Sequence, residues 1–100
     1  MKNGFDSRWT PKAATWLNNQ MDYWENNDME RSAKNFSKDL VKKLDLIVVQ
    51  PEVGRATSNF KKIRFVTIDK RYRLFYRIKP TDINILTFFD TKQDLNKSPY

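Results

Sequence analysis

The 100-residue chain has no cysteine and no histidine. Without cysteine it forms no disulfides, zinc–thiolate sites, iron–sulfur clusters or thiol nucleophiles. Without histidine it lacks the commonest general base and the commonest transition-metal ligand. Its two glycines, Gly4 and Gly54, are too few for a phosphate-cradling loop. No apolar run approaches the roughly 18 residues of a transmembrane helix. Met1 to Thr10 has no apolar stretch of the signal-peptide kind, so a cytoplasmic protein is expected. P-loop, dinucleotide-binding, HExxH and EF-hand spacings are all missing. Asp90 and Asp94, beside Lys92, make a poor Mg²⁺ site. No metal, cofactor or membrane contact is therefore expected.

What is present argues for a folded globule. Apolar residues make up 39% and aromatics 14%, enough for one core in one domain spanning 1–100. Residues 95–100 read as a loosely ordered tail. The charge is uneven. Residues 1–50 hold eight basic and seven acidic side chains, residues 51–100 eleven and five, and the net charge is +7. A basic excess confined to half of a small domain marks a face for a polyanion, either nucleic acid or an acidic protein.

Phe5, Ser7 and Trp9 alternate with Asp6 and Arg8, the period of a short strand over residues 4–9. Thr10-Pro11 reads as an N-cap followed by proline at the first helical position. The first helix should run to about Asn26, with Ala13, Trp16, Leu17, Met21 and Trp24 on one face. Asn27 and Glu30 have capping-box spacing, and a second helix should span Met29 to Val49 before Pro51 and Gly54. So short a turn makes the pair an antiparallel hairpin. The period then changes to two. Strands are expected at Phe60–Ile68, Arg71–Lys79 and Ile83–Phe89, with turns at Asp69-Lys70 and Pro80-Thr81-Asp82. The order βααβββ predicts an α+β fold, with the helical hairpin on one face of a mostly antiparallel sheet.

If Tyr72, Leu74, Tyr76 and Ile78 face the helices, then Arg71, Arg73, Phe75, Arg77 and Lys79 face away from them. Lys61, Lys62 and Arg64 on the neighbouring strand would add to this open basic face. Guanidinium groups around an aromatic ring form a surface that pairs phosphates and stacks a base. The same surface also serves as a plain solvated strand face.

Four segments in this order resemble the RelE/ParE superfamily of bacterial type II toxin–antitoxin toxins. They are Trp9-Thr-Pro-Lys-Ala13, Gln50-Pro-Glu-Val-Gly-Arg55, Tyr72-Arg-Leu-Phe-Tyr-Arg-Ile78 and Phe89-Asp-Thr-Lys-Gln-Asp94. The resemblance implies the fold derived above and a cognate antitoxin that neutralises the chain. RelE-like members cleave mRNA on the ribosome without a metal, whereas ParE-like members inhibit DNA gyrase. Tyr72-Arg73 matches the RelE-like pattern, as do Lys62 and Arg64, two apart on the preceding strand. Lys92 stands where that pattern has arginine, and Tyr100 matches its C-terminal tyrosine with a two-residue displacement. The long helical hairpin and the Pro-Glu-Val-Gly-Arg turn look more like the ParE branch.

A metal-free ribonuclease would need Arg73 to stabilise the phosphorane that forms when a 2′-OH attacks phosphorus. Lys62, crowded by Lys61 and Arg64, would serve as base. The competing expectation is that Lys61, Arg71, Phe75 and Arg77, with these same cations, bind an acidic antitoxin, and that the toxin acts by occupying gyrase. A nucleic-acid-binding or protein-binding module without toxicity is the third.

Overall fold

The computed structural model describes residues 6–57, 60 and 62–100. The chain runs β1 (Asp6–Trp9), α1 (Pro11–Asn26), α2 (Glu30–Val49), a 3-10 turn (Pro51–Val53) and β2 (Arg55–Ala56). It continues through β3 (Ile63–Ile68), β4 (Tyr72–Ile78), β5 (Asp82–Asp90) and a second 3-10 turn (Leu95–Lys97). The sheet order is β1-β5-β4-β3-β2, and only the β1–β5 pairing is parallel. This is the expected α+β architecture with one strand added, the two-residue β2. Gly4 and Phe5, placed by the alternation in the first strand, lie outside the described residues.

Thr10 joins the sheet to the first helix. Its hydroxyl accepts the Ala13 N–H at 3.1 Å, as an N-cap does, and donates to the Leu86 carbonyl at 2.7 Å. The helical hairpin turns differently from expectation. Asn27 is not half of a capping box; it caps the end of α1, its side-chain amide donating to the Tyr23 carbonyl at 2.7 Å. Asp28 takes a left-handed conformation (φ 54°), and the Met29 N–H donates to the Trp24 carbonyl at 2.8 Å. That is a Schellman closure, with aspartate where glycine is usual. It displaces the start of α2 to Glu30, which has no side-chain cap.

The helices bury one apolar stripe each against the sheet. Ala13 and Trp24 of α1 and Phe36, Leu40 and Ile47 of α2 pack with Val66, Ile68, Tyr72, Leu74, Tyr76, Ile83, Ile85 and Phe88. Tyr72, Leu74, Tyr76 and the half-buried Ile78 therefore face the helices, as the alternation of β4 requires. A second polar tie anchors α2. The Asp39 carboxylate accepts the Asp69 N–H at 2.7 Å, and Lys43 donates both to it and to the Thr67 carbonyl.

The β3–β4 reversal holds Asp69 and Lys70 at φ 51° and 59°, closed by the Arg71 N–H on the Ile68 carbonyl at 3.1 Å. This is type I′ geometry, in which a lysine bears a strain that glycine would not. Lys70→Gly should therefore raise stability by about 1 kcal/mol. A melting curve should move up by roughly 4–8 °C for a domain of this size. An unchanged or lower midpoint would show that the left-handed pair is not strained.

Candidate nucleic-acid or partner interface

Residues directly opposite each other in a sheet share a face, so the register assigns Arg55, Arg64, Arg73 and Arg77 of the basic half. On the side away from the helices one row reads Arg55, Phe65, Phe75, Thr87. A second reads Thr67, Arg73, Phe89, and a third Ile63, Arg77, Asn84. Arg73 and Arg77 thus stand where the alternation put them, and Arg55 joins them from β2.

This face is not open. Phe75 is fully buried, in a small second core with Ile63 and Phe89, flanked by Phe65, Leu86 and Tyr100. The Phe75 ring is thus unable to stack on a base, contrary to the reading from alternation. Two features close the face. The register of β5 slips by one between its partners Phe75 and Tyr76, leaving Leu86 as an extra residue beside Thr87. The segment after β5 also returns, placing the Tyr100 ring 5.2 Å from Phe75 and 5.4 Å from Phe60. The residues read as a loosely ordered tail make these contacts.

Three arginines ring this apolar floor. The Arg73 guanidinium lies 4.4 Å from the Phe65 ring centroid, a cation–π contact, and its N–H groups have no acceptor among the described residues. Arg55 and Arg77 are exposed. None of the three is ion-paired among the described residues.

Arg64 lies on the opposite face, across from Tyr76 and Ala56. Its Nη1 donates to the Gly54 carbonyl at 2.8 Å and, at 3.4 Å, to that of Glu52. The Tyr76 hydroxyl donates to the Pro51 carbonyl at 2.6 Å and accepts the Gly54 N–H at 3.0 Å. Burial pushes the Tyr76 hydroxyl pKa up, so it stays protonated and able to donate. Arg64 and Tyr76 therefore fasten the Pro51–Arg55 turn to the sheet.

Arg71 departs from the expected face as well. Ile68 pairs with Tyr72, so Arg71 is an extra residue in the reversal and escapes the strand alternation. Its Nε and Nη2 donate to the two Asp90 oxygens at 2.8 and 2.7 Å, and its guanidinium lies 5.1 Å from the Tyr72 ring centroid. With Gln20, Tyr23, Trp24 and Met29 the pair lines a cleft of about 370 Å³ on the helix side. Lys62 is exposed just before β3, and Lys92 is exposed after β5, its N–H on Asp90 at 3.0 Å. Lys61 lies outside the described residues.

The Arg71 hydrogen bonds hold the Asp90 carboxyl below its ordinary 3.8. A lowered carboxylate pKa stabilises the fold above the unfolded value, and the contribution disappears as pH falls through the folded one. Wild type should therefore melt above Asp90→Asn at pH 7, with the gap closing below about pH 4. A gap that stays constant from pH 7 to 3 would show that the ion pair is not its source.

Sequence reading missed Arg55 as a member of the face. A two-residue strand carries no period, so the only available signal was its place in the Pro-Glu-Val-Gly-Arg segment.

The order strand, helical hairpin and sheet defines a class of small α+β proteins, and a solved structure shares this fold. A chain of the chromosomal ParDE TA system from P. aeruginosa superposes with a TM-score of 0.68 at 21% identity. The match covers 89% of this chain and 98% of that one. The family model for the ParE toxin of the type II toxin–antitoxin system parDE matches residues 7–95, and the chain belongs to that family. Comparison with curated proteins gave no match. Membership makes the chain the toxin of a two-component system, with an antitoxin as its partner. Among the described residues no helix is long and apolar enough to cross a membrane.

Proposed function

We propose that this toxin arrests growth as a ParE-like inhibitor of DNA gyrase, by binding and without a catalytic step of its own. One observation carries the choice over mRNA cleavage. Arg73, which a metal-free ribonuclease would direct at the phosphorane, and Arg64, which it needs beside the base Lys62, lie on opposite faces of the sheet. Arg64 is moreover committed to the carbonyls of the Pro51–Arg55 turn. A base and the donor that stabilises its transition state must act on one phosphate from the same side, and these two arginines do not share one. The family match supports the same reading. The antitoxin then serves to cover the toxin, and an acidic segment would suit a protein of net charge +7.

The test adds purified protein to gyrase with supercoiled plasmid, and separately to a translating extract. Accumulated gyrase–DNA breaks or lost supercoiling, with mRNA intact, is the expected outcome. Cleaved mRNA that disappears on Arg73→Ala would overturn the proposal in favour of a ribonuclease.

A further inference from the structure

The helix-free face presents three arginines, Arg55, Arg73 and Arg77. Arg73 and Arg77 are four residues apart on one straight strand, about 13 Å along it. Arg55 stands two strands away, level with Phe75 and about 10 Å to the side. Three cations on one face, without acidic partners among the described residues, set up a positive potential that an extended anion can neutralise along its length. The face also carries flat apolar area. Phe60 is 42% exposed, and Tyr100, its T-shaped neighbour, is half-buried.

We propose that this face binds a single-stranded nucleic-acid segment, with its phosphates on Arg55, Arg73 and Arg77 and a base against the Phe60–Tyr100 pair. The chemistry separates this ligand from its rivals. A flat sheet face has no helix or ribbon to enter a duplex groove. An acidic peptide would satisfy the guanidinium groups but offers the rings no regular series of π-faces, whereas every nucleotide brings one phosphate and one base. Arg73, lying over Phe65, is pre-oriented, so little side-chain freedom is lost on binding. The Tyr100 ring packs against both Phe75 and Phe60, which holds it in place, and it is only half-buried.

The experiment is fluorescence anisotropy with labelled 15-nucleotide oligothymidylate and oligouridylate, titrated at several salt concentrations. Three phosphate contacts predict a log–log salt slope of about −2. The triple variant R55Q/R73Q/R77Q should lose at least about tenfold in affinity and most of that slope. The exposed Arg77→Gln alone should lower the slope by about 0.7. Tyr100→Phe should bind like wild type and Tyr100→Ala several-fold more weakly, with melting curves confirming that each variant is folded. The triple K34Q/K38Q/K42Q removes equal charge from α2, at exposed positions remote from the face, and should bind like wild type. Binding of either strand supports the proposal, and the tighter one names DNA or RNA as the source. Equal losses in the two triple variants would overturn it, as would polyglutamate displacing the oligonucleotide at lower concentration than unlabelled strand. No binding at low salt would overturn it too. The assay contains no gyrase, so its failure and that of the gyrase reading are separable.

Discussion

Phe36→Ala should destabilise the protein by about 4 kcal/mol, the upper range for deleting a buried aromatic ring. Phe36 is fully buried in the first half of α2. Its ring lies 5.3 Å from Tyr72, 5.4 Å from Trp24, 5.8 Å from Trp16 and 5.9 Å from Phe88, so it touches α1, β4 and β5 together. Alanine would leave a cavity among four rings that are themselves held by other contacts and have little room to collapse. Domains of this size are stable by roughly 5–15 kcal/mol, so a loss of 4 removes a large share of the total. In urea the midpoint should fall by about 2 M at a typical slope. Phe36→Leu keeps most of the volume and should recover more than half of the loss. A midpoint shift of less than about 0.5 M for Phe36→Ala would show that the rings close over the gap and that the cluster is not what joins hairpin to sheet.

Gly54→Ala should cost about 3 kcal/mol, through crowding rather than through backbone conformation. Gly54 sits at φ −71°, an angle open to any residue. A Cβ there would lie 2.8 Å from the Phe65 carbonyl oxygen and closer still to the Tyr76 hydroxyl. The hydroxyl is the mobile party and the carbonyl is not. Tyr76→Phe alone removes the donor to Pro51 and the acceptor for the Gly54 N–H, at a cost of about 1–3 kcal/mol. In the double variant the alanine methyl occupies part of the space that the hydroxyl vacates. The two costs should therefore sum to about 1 kcal/mol more than the measured double loss. Strict additivity in denaturant melts would locate the strain at Phe65 alone. Because the turn carries Arg55, the Gly54→Ala protein that remains folded should also show a displaced β2.

The helices and the facing of β4 were legible in the residues. Thr10-Pro11 marks a helix start chemically, and Tyr72 to Ile78 alternates without a break. What escaped notice depended on single residues whose effects are not local. A two-residue reversal at Asp69-Lys70 would set Arg64 opposite Phe75, on the helix-free face. The third residue, Arg71, shifts the pairing by one and sets Arg64 opposite Tyr76 instead. One residue in a turn thus separates the cations into two groups on opposite sides of the sheet. Alternation likewise put Phe75 on the correct face but carried no information about its cover. That cover comes from Phe89, Ile63 and Tyr100, up to 25 positions away along the chain, and no local period encodes such a meeting. The Schellman closure at Asp28 is a similar case, because aspartate gives a weaker signal than glycine for a left-handed residue.

The parallel pairing of β1 with β5 bears on how the protein is made. Asp6 to Trp9 emerge first during synthesis, yet their only sheet neighbours are Asp82 to Ile85. At about 5–20 residues per second, the first strand waits several seconds for its partner while the helical hairpin, already translated, has no surface to cover. Pairings across such sequence distances also form slowly once the chain is complete. A message broken before the codon for Ile83 would yield a polypeptide without β5, the strand that joins β1 to the rest of the sheet, lacking Ile83, Ile85 and Phe88 beneath the helices. Such a fragment would leave β1 without a partner and the helical hairpin without part of its floor. The sheet closes only when its last strand arrives, because the first and last strands are neighbours.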